Sequence, residues 1–114
     1  MGLLREGGEA GAMLQRAPPL RVEVTWDGGV AVVMLTGDLD ITSEPGLTER
    51  LMKVAQAHPE RVVLDLGGLE FVDVAGGRAL DRAYTALEAG RPVIVRWPRP
   101  SARRVLRLGG FMGG

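Results

Sequence analysis

The chain has 114 residues, 46% hydrophobic and 25% charged, a length that suits one small domain. It has no cysteine, one histidine (His58) and two serines (Ser43 and Ser101). Disulfide scaffolds, thiolate or histidine metal clusters and cysteine nucleophiles are thereby excluded, and a Ser-His-Asp hydrolase has almost nothing to be built from. Net charge is zero but unevenly spread: residues 1–60 carry 5 basic and 9 acidic side chains, residues 61–114 carry 9 and 5, and six arginines with no acid follow from Arg91 onward.

Residues 1–19 (MGLLREGGEAGAMLQRAPP) mix glycine, alanine and charge without the continuous apolar run of a secretory leader, and read as a flexible tail before a domain over 20–114. No apolar run approaches the ~20 residues that cross a bilayer, so the expectation is a cytoplasmic protein without membrane insertion. Leu20, Val22, Val24 and Trp26 alternate with Arg21, Glu23 and Thr25, the period of a half-buried strand. Asp27-Gly28-Gly29 predicts a hairpin turn with positive φ open to both glycines. Val30 to Thr36 is apolar at nearly every position, the pattern of a central strand covered on both faces.

Gly37-Asp38-Leu39-Asp40 is expected to lead out of that strand. Thr42 or Ser43 would cap a helix whose first turn holds Glu44 and Pro45, with Leu47, Leu51, Val54 and Ala55 on its inner face. His58-Pro59 ends it, with His58 exposed. Arg61 to Leu66 predicts a third strand, Gly67-Gly68 a turn, and Leu69 to Val72 an extended approach to a second helix near Val74. Ala89-Gly90 closes that helix. Arg91 to Trp97 predicts a fourth strand, Ser101 a cap, and Ala102 to Leu108 a last short helix stopped by Gly109-Gly110. The order β-β-α-β-α-β-α implies an α/β fold. Its mixed sheet has four strands, or five, with an antiparallel first hairpin, then parallel strands, and helices mainly on one face.

Most of this chain explains itself as core and cap, but Leu69 to Arg78 does not. A strand end turns abruptly into a helix start at the carboxyl edge of a parallel sheet, where open α/β folds place their sites. Asp73 sits at the N-cap position, above unpaired N–H groups. Gly76 and Gly77 weaken the helix; they either admit another backbone at close range or merely pack against the sheet.

Gly37-Asp38-Leu39-Asp40, Val62 to Leu66 (VVLDL), Phe71-Val72-Asp73-x-x-Gly76 and the run Pro100 to Phe111, taken in order, resemble the STAS domain of bacterial anti-sigma-factor antagonists. The resemblance runs from about Leu20 to Phe111. It implies a role without catalysis or cofactor: binding an anti-sigma factor of the histidine-kinase-like ATPase type and so regulating transcription. That partner phosphorylates a serine directly after the motif's Asp, adding charge and bulk at a helix start and ending the complex. Here that position is Val74 and the next is Ala75, so no phosphate can be attached. Gly77 stands where the family usually has a branched apolar residue.

Two outcomes follow from the resemblance: a constitutive antagonist, or a STAS subunit of a lipid-transport ATPase or a sensor-complex scaffold. The expected partner surface comprises Asp38, Asp40 and Thr42 with Asp73, Val74, Ala75, Gly76, Gly77 and Arg78, the two loops lying side by side. Asp40 and Asp73 would draw a basic residue of the partner. A homodimer is compatible with this reading, and Phe111 and Met112 at the end of the chain are candidates for contact with another copy. Two rival readings are weaker. Asp38, Asp40 and Asp73 lack the base–nucleophile pair or phosphate loop of an enzyme or a metal site. Arg96, Arg99, Arg103, Arg104 and Arg107 form a basic patch, but no aromatic residues interleave it as a nucleic-acid surface would want.

Overall fold

Alternation of apolar and polar residues assembles one four-stranded sheet in the order β1-β2-β3-β4, seen in a computed structural model that describes residues 19–111. The strands are β1 (Arg21–Asp27), β2 (Val30–Leu39), β3 (Arg61–Val72) and β4 (Val93–Arg96). β1 runs antiparallel to β2, and β2, β3 and β4 are parallel. Helices α1 (Glu44–Gln56), α2 (Val74–Glu88) and α3 (Pro100–Leu108) connect or follow the strands, and a 3₁₀ turn over Ile41–Ser43 precedes α1. The expected element order and mixed pairing are therefore present, with four strands among the described residues. The tail expected over residues 1–19 lies outside them except for Pro19, which bridges to Asp38.

The helices cover one face. Ala31, Val33, Leu35 and Leu39 of β2 point into the core beside Val62, Leu64, Leu66, Leu69 and Val72 of β3. Leu47, Leu51 and Val54 of α1 and Leu80, Ala83 and Leu87 of α2 close over them. The expectation that β2 is covered on both faces is corrected: Met34 is 37% exposed on the open side. Its apolar run reflects the β-propensity of branched side chains as much as burial.

Three local expectations also change. In the hairpin only Gly28 takes a positive φ, +62°, which matches the first central position of a type II′ turn. Gly67-Gly68 is no turn: β3 continues through it to Val72, because bulges let three residues of β3 oppose two of β2 between Met34 and Thr36, and two oppose one between Gly37 and Asp38. Inward positions on β3 accordingly space as 62, 64, 66, 69 and 72, since each extra residue flips the facing of those after it. Ser101 lies inside α3, whose N-cap is Arg99.

The end of α3 is locked by local backbone chemistry. Gly110 takes φ +96°, its N–H donates to the Arg107 carbonyl at 3.0 Å, and the Phe111 N–H donates back to Leu106 at 3.0 Å. This is a Schellman turn, and it directs Phe111 inward. Phe111 is fully buried, edge-on to Tyr84 with centroids 5.3 Å apart and 5.5 Å from Trp97. The expectation that Phe111 is exposed for contact with another copy is thus overturned; Met112 lies outside the described residues. Phe111→Ala should cost about 3–5 kcal/mol by emptying this aromatic cluster, read as a lower urea midpoint at unchanged slope. An unchanged midpoint would show that α3 is held without it.

Candidate functional site

Two chain segments leave the sheet together. Asp38 pairs with Phe71 and Leu39 with Val72, and the ladder ends where the Asp73 N–H donates to the Leu39 carbonyl at 3.1 Å. Beyond that point both segments coil into helices side by side, as the sequence led one to expect. Asp40 caps the 3₁₀ turn that leads into the first. Its carboxylate accepts from the Thr42 N–H at 3.0 Å and the Thr42 hydroxyl at 2.6 Å. Its own N–H donates to the Ser43 hydroxyl oxygen at 3.1 Å, completing a capping box. Asp40 thus caps the 3₁₀ turn, and Ser43 holds the N-cap position of α1 itself, as one of the two expected residues, but without a side-chain bond to that helix.

The bond from the Thr42 hydroxyl is the main cause holding the Asp40 carboxyl below the ordinary carboxylate range, with further bonds from Thr42 and Ser43 assisting and partial burial opposing. A depressed folded pKa means stability that is complete above the ordinary range and lost as pH falls below it.

Asp73 caps the second helix. Its backbone is extended, its carboxylate accepts from the Gly76 N–H at 2.7 Å, and its carbonyl accepts from the Gly77 N–H at 2.9 Å. Gly76 answers the question its sequence position raised. A Cβ there would lie 2.6 Å from the Leu39 carbonyl carbon and 3.0 Å from the Asp40 nitrogen, so the residue is glycine because the β2 backbone passes directly against it. Gly77 faces the other way, toward α3. A Cβ on it would meet Leu106 at 3.4 Å, an ordinary contact, whereas one on Gly109 would meet the Val74 carbonyl at 2.9 Å. The end of α3 thus rests on the first turn of α2.

Of the nine residues expected to form the partner surface, Thr42, Val74 and Arg78 are exposed and Asp38, Asp40, Asp73 and Ala75 are half-buried. Gly76 and Gly77 are buried and position the site without reaching its surface. Both capping carboxylates are engaged by their own helix starts. Apolar residues missed in the sequence complete the tip: Ile41 is 66% exposed beside Asp40, and Leu108 is 70% exposed beside Gly109, which abuts Val74. Ile41 carried a faint signal, being apolar directly after a cap and off the inward stripe of α1; Leu108 carried none. Among the described residues no group of three or more His, Asp or Glu side chains is arranged to hold a metal ion, and no helix is long and apolar enough to cross a membrane.

A family model described as the STAS domain matches residues 21–113. Among solved structures, an anti-sigma factor antagonist from Mycobacterium paratuberculosis is similar at 29% identity and TM-score 0.65, over 81% of this chain and 79% of that one. RsbS from Moorella thermoacetica, in a variant form, matches at 24% identity and TM-score 0.65 over 79% and 78%. The anti-sigma factor antagonist SpoIIAA, in its unphosphorylated form, matches at 21% and 0.60 over 82% of each chain. No curated protein sequence matches.

Two substitutions separate the glycine roles. Gly76→Ala should lose about 1–3 kcal/mol in chemical denaturation, because the added methyl drives into backbone. Gly77→Ala should be neutral or gain up to about 1 kcal/mol from helix propensity. Equal effects would contradict the close approach at Gly76. Asp40→Asn should flatten the loss of stability on acidification below the carboxylate range, measured by denaturation at stepped pH; an unaltered acid limb would remove Asp40 from that account.

Proposed function

The chain belongs to the STAS domain family, and from that premise we propose that it is a non-catalytic binding module of the anti-sigma-factor-antagonist type. Its partner would be an anti-sigma factor of the histidine-kinase-like ATPase class, and the complex would regulate transcription in the cytoplasm. The observation that carries this reading is the exposed start of α2: Val74, 36% exposed, stands directly after the capping Asp73, with exposed Ile41 next to Asp40 and exposed Leu108 next to Gly109, which abuts Val74. Exposed apolar residues ringed by polar ones favour a protein partner. The rigid caps present that surface without a folding cost on association.

Val74 occupies the place where the resemblance implies a phosphorylated serine. A valine side chain has no hydroxyl, so phosphorylation at this position is closed and the tip stays apolar. The complex formed here is then constitutive, controlled by the amount of protein rather than by a phosphate. Thr42 is exposed nearby, but its hydroxyl donates to Asp40 at 2.6 Å as part of the cap.

The test is calorimetry with the histidine-kinase-like anti-sigma factors and the transporter ATPases of the same genome. Wild-type protein should bind one such anti-sigma factor and remain unmodified with MgATP. Val74→Ser should become phosphorylated and lose affinity when it does. Val74→Glu should weaken binding by at least about tenfold through a desolvated charge in the interface. Binding to a transporter ATPase and to no anti-sigma factor would replace this reading with that of a transport subunit.

A further inference from the structure

Four arginines gather on α3 without any acid to balance them. No acidic residue follows Glu88 in the sequence. Of the six arginines from Arg91 onward, Arg96 lies 3.6 Å from Asp65 and Arg91 donates to the Leu87 carbonyl at 2.9 Å. Arg99, Arg103, Arg104 and Arg107 have no carboxylate within ion-pair reach among the described residues. Arg99 and Arg103, and Arg103 and Arg107, stand four apart, a spacing at which like charges weaken a helix. Arg99 and Arg103 also lie at the positive end of the α3 dipole, where cations are disfavoured.

Trp97 orders this group. The Arg103 guanidinium sits 4.5 Å above its ring centroid and that of Arg107 lies 5.9 Å away, while the ring itself leans on buried Phe111. The aromatic partner that the sequence pattern did not reveal is therefore present, at the end of β4. The Nε of Arg103 is buried without a hydrogen-bond partner. Pro98, Pro100, Arg103, Arg104, Arg107 and Leu108 line a groove of about 650 Å³. Its walls are prolines and guanidiniums, with Leu108 exposed at one end.

The geometry points to this groove as a second docking surface, for an acidic peptide segment of a protein partner that bears an apolar residue among its carboxylates. Guanidiniums already stacked on a ring lose less freedom when a carboxylate arrives, and their planar forks match it in two-point contacts. The concavity fits a chain segment better than the flat plane of a bilayer. The Trp97 face is occupied by guanidinium, so it offers no platform for a stacked nucleic-acid base. This surface shares Leu108 with the tip at the start of α2 but none of its residues from Asp38 to Arg78.

Fluorescence anisotropy of a labelled peptide of glutamates interspersed with leucine, mixed with the full chain, tests the proposal. The peptide should bind, with an affinity that falls steeply as salt rises. Arg99→Glu combined with Arg104→Glu alters exposed side chains that make no hydrogen bond or ion pair among the described residues, and should weaken binding by at least about tenfold at an unchanged melting temperature. In a Trp26→Phe background, where Trp97 is the remaining tryptophan, peptide binding should shift the Trp97 emission. Val74→Glu should leave the peptide affinity unaltered, which keeps this result separate from that of the tip. No binding at low salt, tighter binding to duplex DNA or to phosphatidylglycerol vesicles, or indifference to the charge reversal would each overturn the proposal.

Discussion

The contact between Gly76 and the Leu39–Asp40 backbone is the constraint on which the rest of the molecule depends. Two parallel strands end together there, and both chains must become helices within a few residues. Helix starts leave N–H groups unpaired, and sheet ends leave carbonyls unpaired. The junction resolves both: the Asp73 N–H takes the Leu39 carbonyl, while Asp40 and Asp73 serve the two helix starts. A side chain at position 76 would push α2 away from β2 and break this arrangement. The bulges in β3 belong to the same solution, since they bring Val72 inward and Asp73 to the cap at the moment the ladder ends.

Packing then transmits the junction to the far helix. α3 is short, and a nine-residue helix is marginal on its own. It is held at one end by the Gly77–Gly109 approach to α2 and sealed by Phe111, which the Schellman turn directs between Tyr84 and Trp97. The same aromatic cluster that anchors α3 therefore also orders Arg103 and Arg107. Core and surface chemistry are coupled through one ring, Trp97.

The two surfaces that result differ in character. The tip at the start of α2 is largely apolar, its carboxylates engaged internally, and suits recognition by shape and desolvation. The α3 groove is cationic and suits steering and capture of an acidic chain. Zero net charge conceals this division, because the acids that balance the arginines lie earlier in the sequence.

Period-two alternation in β1, the apolar stripes of α1 and α2 and the order of elements along the chain were legible from residue types, because each depends on which side chains can leave water. Asp73 as a cap and the suspicion around Gly76 were legible for the same local reason. Other features were not. Gly67-Gly68 reads as a turn locally, and only pairing with β2 makes it a bulge. Phe111 reads as exposed at the end of a chain, and only the distant Tyr84 and Trp97 give it a pocket. Ile41 stands next to Asp40, which Gly76 approaches, and Leu108 next to Gly109, which abuts Val74, because both neighbouring segments fold onto the start of α2. Local sequence determines what each segment tends to be; which segments touch depends on contacts whose partners lie dozens of residues away, and those only the tertiary structure decides.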